Sequence, residues 1–127
     1  MKKVLSVAIA LTLSSGFFTP QVQANGVAQA ICGYVASDHK SRLRDQLRAN
    51  KIKLKKIYKG MRCNNESLLR FAMINNADSA GGFIAKRLSV SILEKPESDG
   101  KTVLQWASEN GKDGSGTVAS IKKRLKI

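Results

Sequence analysis

The sequence predicts one mostly α-helical domain: a short stack of helical repeats behind an N-terminal helical cap, closed by a single disulfide. Three observations support this fold class. A nine-residue pattern recurs at an offset of 35 residues. Apolar residues after each copy follow the three-and-four spacing of an amphipathic helix. The chain also contains two cysteines, which is the number that one bridge requires.

The first 24 residues are predicted to be a signal peptide rather than part of the fold. Lys2 and Lys3 precede an apolar run from Val4 to Leu13, which is shorter than the roughly 20 residues of a membrane span. In Val22-Gln23-Ala24, small or compact residues occupy both recognition positions of a signal-peptidase site, so we predict cleavage after Ala24. The alternative is an uncleaved N-terminal anchor. The mature chain is then 25–127, periplasmic or secreted, with no transmembrane segment.

The predicted mature chain is strongly basic, and its charge is uneven. Loss of two lysines with the leader lowers the net charge from +13 to +11. The segment from Lys40 to Arg62 contains ten basic residues and only one acidic residue, Asp45. This run is either a solvated face or a site for an acidic partner. The candidate anion-binding residues are Arg42, Arg44, Arg48, Lys51, Lys53, Lys55, Lys56 and Lys59.

Cys32 and Cys63 are predicted to form a structural disulfide, because an exported chain enters an oxidising compartment. A bond that closes a loop of about 32 residues should stabilise the fold by roughly 3–4 kcal/mol, because it lowers the entropy of the unfolded chain. A redox role is not expected, because the sequence has no Cys-x-x-Cys motif. A zinc site needs more ligands than these two cysteines and the single histidine, His39, supply. We therefore expect no metal and no cofactor.

The repeated pattern predicts two helix-turn-helix units. Asn64-Asn65-Glu66-Ser67-Leu68-Leu69-Arg70-Phe71-Ala72 aligns with Asp99-Gly100-Lys101-Thr102-Val103-Leu104-Gln105-Trp106-Ala107. Ser67 and Thr102 are predicted N-caps, and Gln105 completes a capping box. Second helices are expected over 79–88 and 117–125. Gly81-Gly82 marks either close helix contact or a later helix start.

Each unit resembles an ankyrin repeat, and the copy at 99–107 matches that signature better. The resemblance covers about 60 residues. It departs from the signature at Arg70 and Gln105, where the family has histidine, and at Leu68 and Val103, where it has proline. The implied architecture is a cap and basic segment at 25–62, followed by units at 63–93 and 94–127. Phe71 and Trp106 are either core residues or exposed anchors for a partner.

Residues 31 to 88 carry a second resemblance. The elements are Ile31-Cys32, Arg42-Leu43-Arg44, Leu54-Lys55-Lys56-Ile57-Tyr58 and the segment from Cys63 to Ala72. They are similar to a family of small exported gamma-proteobacterial proteins classed as a domain of unknown function. That resemblance implies export and a paired cysteine, and it implies no activity.

The remaining segments have weaker patterns. Helices are expected over 27–36 and from Asp38, as N-cap, to Ala49. Residues 51–61 fit either a strand or a short helix, and residues 89–93 are expected to form a loop or hairpin.

The sequence contains no motif for catalysis or nucleotide binding, so we expect a non-enzymatic protein without catalytic residues. The leading hypothesis is a periplasmic ankyrin-like module that binds a protein partner. The alternative is a basic surface at 40–62 that binds anionic envelope polymers or lipid head groups. Nucleic acid is not expected as the physiological ligand, because Tyr58 is the only aromatic residue in the basic run.

Overall fold

A computed structural model describes residues 19–127, with side chains from residue 26 onward. This part of the chain contains eight α-helices, one short 3₁₀ helix at Tyr58–Gly60 and no β-strand, which confirms the mostly helical prediction. The helices are α1 (Thr19–Ala36), α2 (Lys40–Ala49), α3 (Leu54–Ile57), α4 (Leu68–Ile74), α5 (Asp78–Arg87), α6 (Val90–Glu94), α7 (Val103–Glu109) and α8 (Gly116–Leu125). Most of the predicted signal peptide lies outside the described residues, and the predicted cleavage point after Ala24 falls within α1.

Six helices form three consecutive pairs, α1/α2, α4/α5 and α7/α8, and the first helix of each pair ends in the same turn. The residue after the C-cap has a positive φ, at Asp38 (58°), Asn76 (54°) and Gly111 (69°). The next backbone N–H donates to a carbonyl of the last helical turn, at 2.7–2.8 Å, in the pairs His39→Tyr34, Ala77→Ala72 and Lys112→Ala107. These are Schellman motifs, which turn the chain into the second helix.

The N-caps predicted for α4 and α7 are confirmed. The Ser67 side chain accepts from the Arg70 N–H, and Thr102 accepts from the Gln105 N–H. The Gln105 side chain returns a bond to the Thr102 N–H at 2.8 Å, which completes the predicted capping box. Local sequence therefore determines where the first helix of both units begins.

The prediction that Asp38 caps α2 is wrong. Asp38 occupies the left-handed position of the turn after α1, and His39 is the N-cap of α2 without a side-chain bond. The Asp38 carboxylate instead accepts from the Ala80 N–H in the first turn of α5, at 2.7 Å. Asp78 repeats this role one pair later, because its Oδ1 accepts from the Thr117 N–H of α8 at 3.1 Å.

The largest helix contact joins α5 and α8, and glycines make it possible. A Cβ at Gly81 would lie 2.1 Å from Thr117 Oγ1, and one at Gly82 would lie 2.9 Å from Ser120 Oγ. The glycine pair therefore marks close helix contact and not a late helix start. One apolar core runs through all three pairs, with Val35, Leu43, Met73, Ile84 and Ile121 fully or almost fully buried.

Cys32 of α1 and Cys63 form the predicted disulfide, with an S–S distance of 2.06 Å and a Cα–Cα distance of 5.6 Å. The bridge joins the first helix pair to the segment that leads into the second. Residues 51–61 contain α3 and the 3₁₀ helix, so the helical alternative is the correct one. The loop or hairpin expected at 89–93 is instead α6, which Ser89 caps by accepting from the Ile92 N–H.

Candidate anion-binding groove

The basic run folds around the C-terminal end of α2. Leu43 and Leu47 are buried and four residues apart, so this stripe packs α2 onto the core. Arg44 and Arg48 each follow one residue later and lie beside that stripe. The helix then ends in a Schellman motif of its own, with Lys51 at φ 54°. The turned chain continues into the residues that precede α3.

A groove of about 510 Å³ opens where this turn faces α5. Six of the residues that line it are cations and none is an acid. The other lining residues are apolar and form the base of the groove. The cations are Arg44, Arg48, Lys51, Lys53, Lys55 and Arg87, and the apolar residues are Leu47, Ile52, Leu54 and Phe83.

Arg87 and Phe83 are the groove residues that sequence reasoning missed. They lie four residues apart on α5, and the Arg87 guanidinium carbon is 4.7 Å from the centroid of the Phe83 ring. Such cation–π stacking holds the guanidinium at the wall of the groove. The basic run of the sequence ends at Arg62, and Arg87 belongs to a helix that begins 16 residues after that point. The Lys86-Arg87 pair at the end of α5 is the signal that could have included it.

No groove cation forms an ion pair with a side chain between residues 26 and 127. The ion pairs of the described residues join Arg70 to Glu97 and Asp99, and Lys101 to Glu109. Clustered like charges in a concave site focus the field that attracts an oppositely charged ligand. The arrangement is therefore suited to binding an anion.

The structure brings five of the eight predicted anion-binding residues into this groove. Lys56 and Lys59 line a separate cleft of about 490 Å³, which also contains Tyr58 and Glu97. Arg42 is exposed on α2 and does not line the groove.

A charged cluster joins α4 to the loop before α7, with Arg70 and Tyr58 buried and Asp99 exposed. The Arg70 guanidinium donates to both carboxylate oxygens of Asp99, at 2.8 and 2.9 Å. Its Nε lies 2.8 Å from Glu97 Oε1 as an ion pair, without the alignment of a hydrogen bond. Tyr58 donates to the other oxygen of Glu97 at 2.8 Å.

The contacts in the cluster shift the pKa values of Arg70, Asp99 and Tyr58, and the pKa of Arg70 is raised mainly by its hydrogen bond to Asp99. The hydrogen bond from Arg70 holds the pKa of Asp99 well below its ordinary value. Burial is the main cause that raises the pKa of Tyr58 above its ordinary value, with the Glu97 charge next. These groups bond to one another, so the cluster is a structural junction between helix pairs.

The two aromatic residues considered as either core residues or partner anchors differ in burial. Trp106 is buried in the core, with the Arg70 guanidinium carbon 5.4 Å from its ring centroid. Phe71 is partly buried against the same core. Between residues 19 and 127, no cluster of three or more His, Cys, Asp or Glu side chains could hold a metal ion. No helix in that range has the length and apolar character needed to cross a bilayer.

Comparison with known proteins gives one match. No curated protein and no solved structure is similar to this chain. The model of a protein family of unknown function, DUF3718, matches residues 31–95, which is just over half of the chain. The matched segment begins in α1, continues through α6 and contains both cysteines, and it includes every residue that lines the groove. The chain therefore belongs to the DUF3718 family of proteins of unknown function.

Proposed function

We propose that this protein binds phosphate-bearing anionic polymers or lipid head groups of the bacterial envelope through the groove between α2 and α5. The observation that carries the proposal is a concave site lined by six cations and no acid. Three of those cations are arginines, whose planar guanidinium matches the geometry of phosphate oxygens. The apolar base lowers the local dielectric, which strengthens attraction to a bound charge.

The location assigned to this function is the periplasm or the cell exterior. Export is supported by the features of a signal peptide at the N-terminus: two lysines, a short apolar run and small or compact residues before the predicted cleavage point. A disulfide in a domain of this size is consistent with an extracellular location. The envelope supplies phosphate-rich ligands in that compartment.

We further propose that the helix pairs form an ankyrin-like stack with α1/α2 as its N-terminal cap. Three observations support this arrangement: the shared Schellman turns, the matched caps Ser67 and Thr102, and the carboxylates that bond from one pair to the next. In such a stack, stability comes from contacts between neighbouring units. The groove then lies at the junction of the cap with the first unit.

The test compares two arginines on one helix. Arg48→Gln removes a groove cation, whereas Arg42→Gln removes an exposed cation outside the groove. The full-length chain, exported and purified with its disulfide intact, is titrated with vesicles of anionic or neutral lipid and with lipopolysaccharide. We expect binding to the anionic samples that weakens with salt, and a several-fold loss in Arg48→Gln alone. Equal binding by both variants would overturn the proposal.

A second candidate function is the binding of a protein partner through the ankyrin-like stack. The shared turns of the three helix pairs and the equivalent caps of α4 and α7 favour this candidate. The discriminating measurement is retention of envelope proteins by the immobilised chain at low and high salt. Apolar, shape-matched contacts persist under screening, whereas exposed charge pairs do not. One protein retained at high salt supports this candidate, and a broad anionic set lost at high salt supports the groove.

A further inference from the structure

We infer that the groove is one end of a longer basic track, which continues over the C-terminal ends of α5 and α8 and takes a linear chain of linked phosphate groups. The inference rests on the proposed function, because the groove must bind phosphate for a chain to extend from it. It adds a second part of the site, and it specifies a polymer instead of a single head group.

The second helices of the three pairs run in the same direction, which places their ends on two opposite edges. Hydrogen bonds join the N-terminal ends, from Ala80 to Asp38 and from Thr117 to Asp78. The C-terminal ends are also neighbours. Arg87 at the end of α5 meets the end of α2 in the groove. Arg124 at the end of α8 donates through Nε to the Leu88 carbonyl, just after α5, at 3.2 Å.

Exposed cations occupy the C-terminal edge at all three helices. The end of α2 carries Arg48 and Lys51, the end of α5 carries Lys86 and Arg87, and the end of α8 carries Lys122, Lys123, Arg124 and Lys126. The capping carboxylates Asp38 and Asp78 lie at the other edge. Glu94 ends α6, which packs on α8, and it forms no ion pair with these cations.

The helix dipole explains part of this pattern, since a cation in the last turn of a helix is stabilising. It does not explain why six cations lie together in the groove with no acid among them, or why Arg124 brings the basic end of α8 beside the end of α5, because like charges at close range repel. A ligand that carries several negative charges would offset that repulsion. This relation points to a polyanion that contacts all three helix ends at once.

The dimensions favour a linear polymer. Packed helices lie about 8–10 Å apart, so three adjacent ends span roughly 16–20 Å. A single phosphate occupies the groove without reaching α8, whereas a chain of linked phosphates reaches both. A single lipid head group can enter the concave site between α2 and α5, but separate head groups are not linked into one chain that runs from this site to the end of α8.

The test uses inorganic polyphosphate of two lengths, one of about 3 and one of about 20 phosphates, titrated against salt with the full-length oxidised chain. The double variant Lys123→Gln/Lys126→Gln neutralises the α8 end. Its matched control, Lys40→Gln/Arg42→Gln, neutralises two exposed cations in the first turn of α2, at the other edge. We expect the α8 variant to bind the long chain about three- to tenfold more weakly, and to lower its salt slope by roughly 1.4. Binding of the short chain should not change.

The two sets of variants distinguish failure of the track from failure of the groove. If Arg48→Gln weakens both lengths but the α8 variant weakens neither, the track is overturned and the groove remains. If Arg48→Gln changes neither length, the proposed function fails as well. Tight binding to anionic vesicles without binding to long polyphosphate would also overturn the track, because it would identify a membrane surface as the ligand.

Discussion

The carboxylate of Asp38, in the turn between α1 and α2, accepts a 2.7 Å hydrogen bond from the backbone N–H of Ala80, 42 residues later. Asp78 provides the same kind of bond to Thr117 of α8, with N–H and hydroxyl contacts of 3.1 and 3.3 Å. Each carboxylate satisfies an N–H that the first turn of a helix leaves without an internal partner. The start of a second helix is thus completed by the preceding pair.

Asp38→Ala should destabilise the protein by about 2 kcal/mol, because it removes a cap and places a Cβ residue in a left-handed turn without a polar side chain. Asp38→Asn should cost less, since asparagine tolerates that conformation and keeps an acceptor oxygen. Urea midpoints at neutral pH measure the difference. Equal midpoints for the alanine variant and the wild type would contradict the role of this bond.

Gly81→Ala should destabilise the protein by roughly 1–3 kcal/mol, because the new methyl group would overlap the Thr117 side chain and separate α5 from α8. Gly33→Ala is the matched control. Gly33 also lies in a helix, α1, but a Cβ there has no neighbour within 4 Å. Helix propensity predicts that the control is about 0.5–1 kcal/mol more stable than the wild type. Thermal melting of both variants checks the opposite signs.

Replacement of both cysteines by serine should lower the free energy of unfolding by about 3–4 kcal/mol. The bond between Cys32 and Cys63 spans 31 positions and restricts the unfolded chain. Reduction of the wild-type protein should produce the same loss, which separates the effect of the bond from that of the serines. Identical unfolding curves for the oxidised and reduced protein would show that the bond contributes nothing.

Asp99→Asn should reduce stability at neutral pH, and the reduction should become smaller as the solution is made more acidic. The pKa of Asp99 is depressed in the folded protein by the hydrogen bond from Arg70. The stabilisation is therefore present above the unfolded pKa of about 3.9, and it is lost as the pH falls below that value. Melting temperatures between pH 7 and pH 2 should show the difference between variant and wild type closing as the pH decreases. A difference that stays constant with pH would contradict this linkage.

Lys51→Gly should increase stability and weaken phosphate binding. Lysine at φ 54° is strained by about 1 kcal/mol relative to glycine, while its charge lines the groove. Lys53→Gln is the control, because Lys53 lines the same groove with an extended backbone. It should weaken binding without a change in stability. A loss of stability in Lys51→Gly would show that the lysine side chain makes a contact that outweighs the strain.

Features determined by neighbouring residues could be predicted from the sequence. Ser67 and Thr102 were identified as caps because a cap bonds within three residues. The disulfide followed from the number of cysteines. The two unit helices were placed to within one residue of α5 and α8 by their apolar spacing.

Features that depend on residues far apart in the chain could not be predicted from the sequence. Asp38 has the chemistry of a local cap, but its left-handed backbone directs the carboxylate to a helix 42 residues away. Arg87 joins the groove only because α5 packs beside α2. Residues 89–93 alternate in polarity as a strand does, yet the cap at Ser89 and the contact with α8 stabilise one helical turn.

The hydrogen bonds accepted by Asp38 and Asp78 also suit an order of folding that runs from the N-terminus to the C-terminus. In both, the acceptor precedes the donor along the chain, by 42 and 39 positions. If the exported chain crosses the membrane with its N-terminal residues first, each carboxylate is already available when the helix that it completes emerges. The three helix pairs can thus fold in chain order, because each completed pair supplies the carboxylate that the next second helix needs.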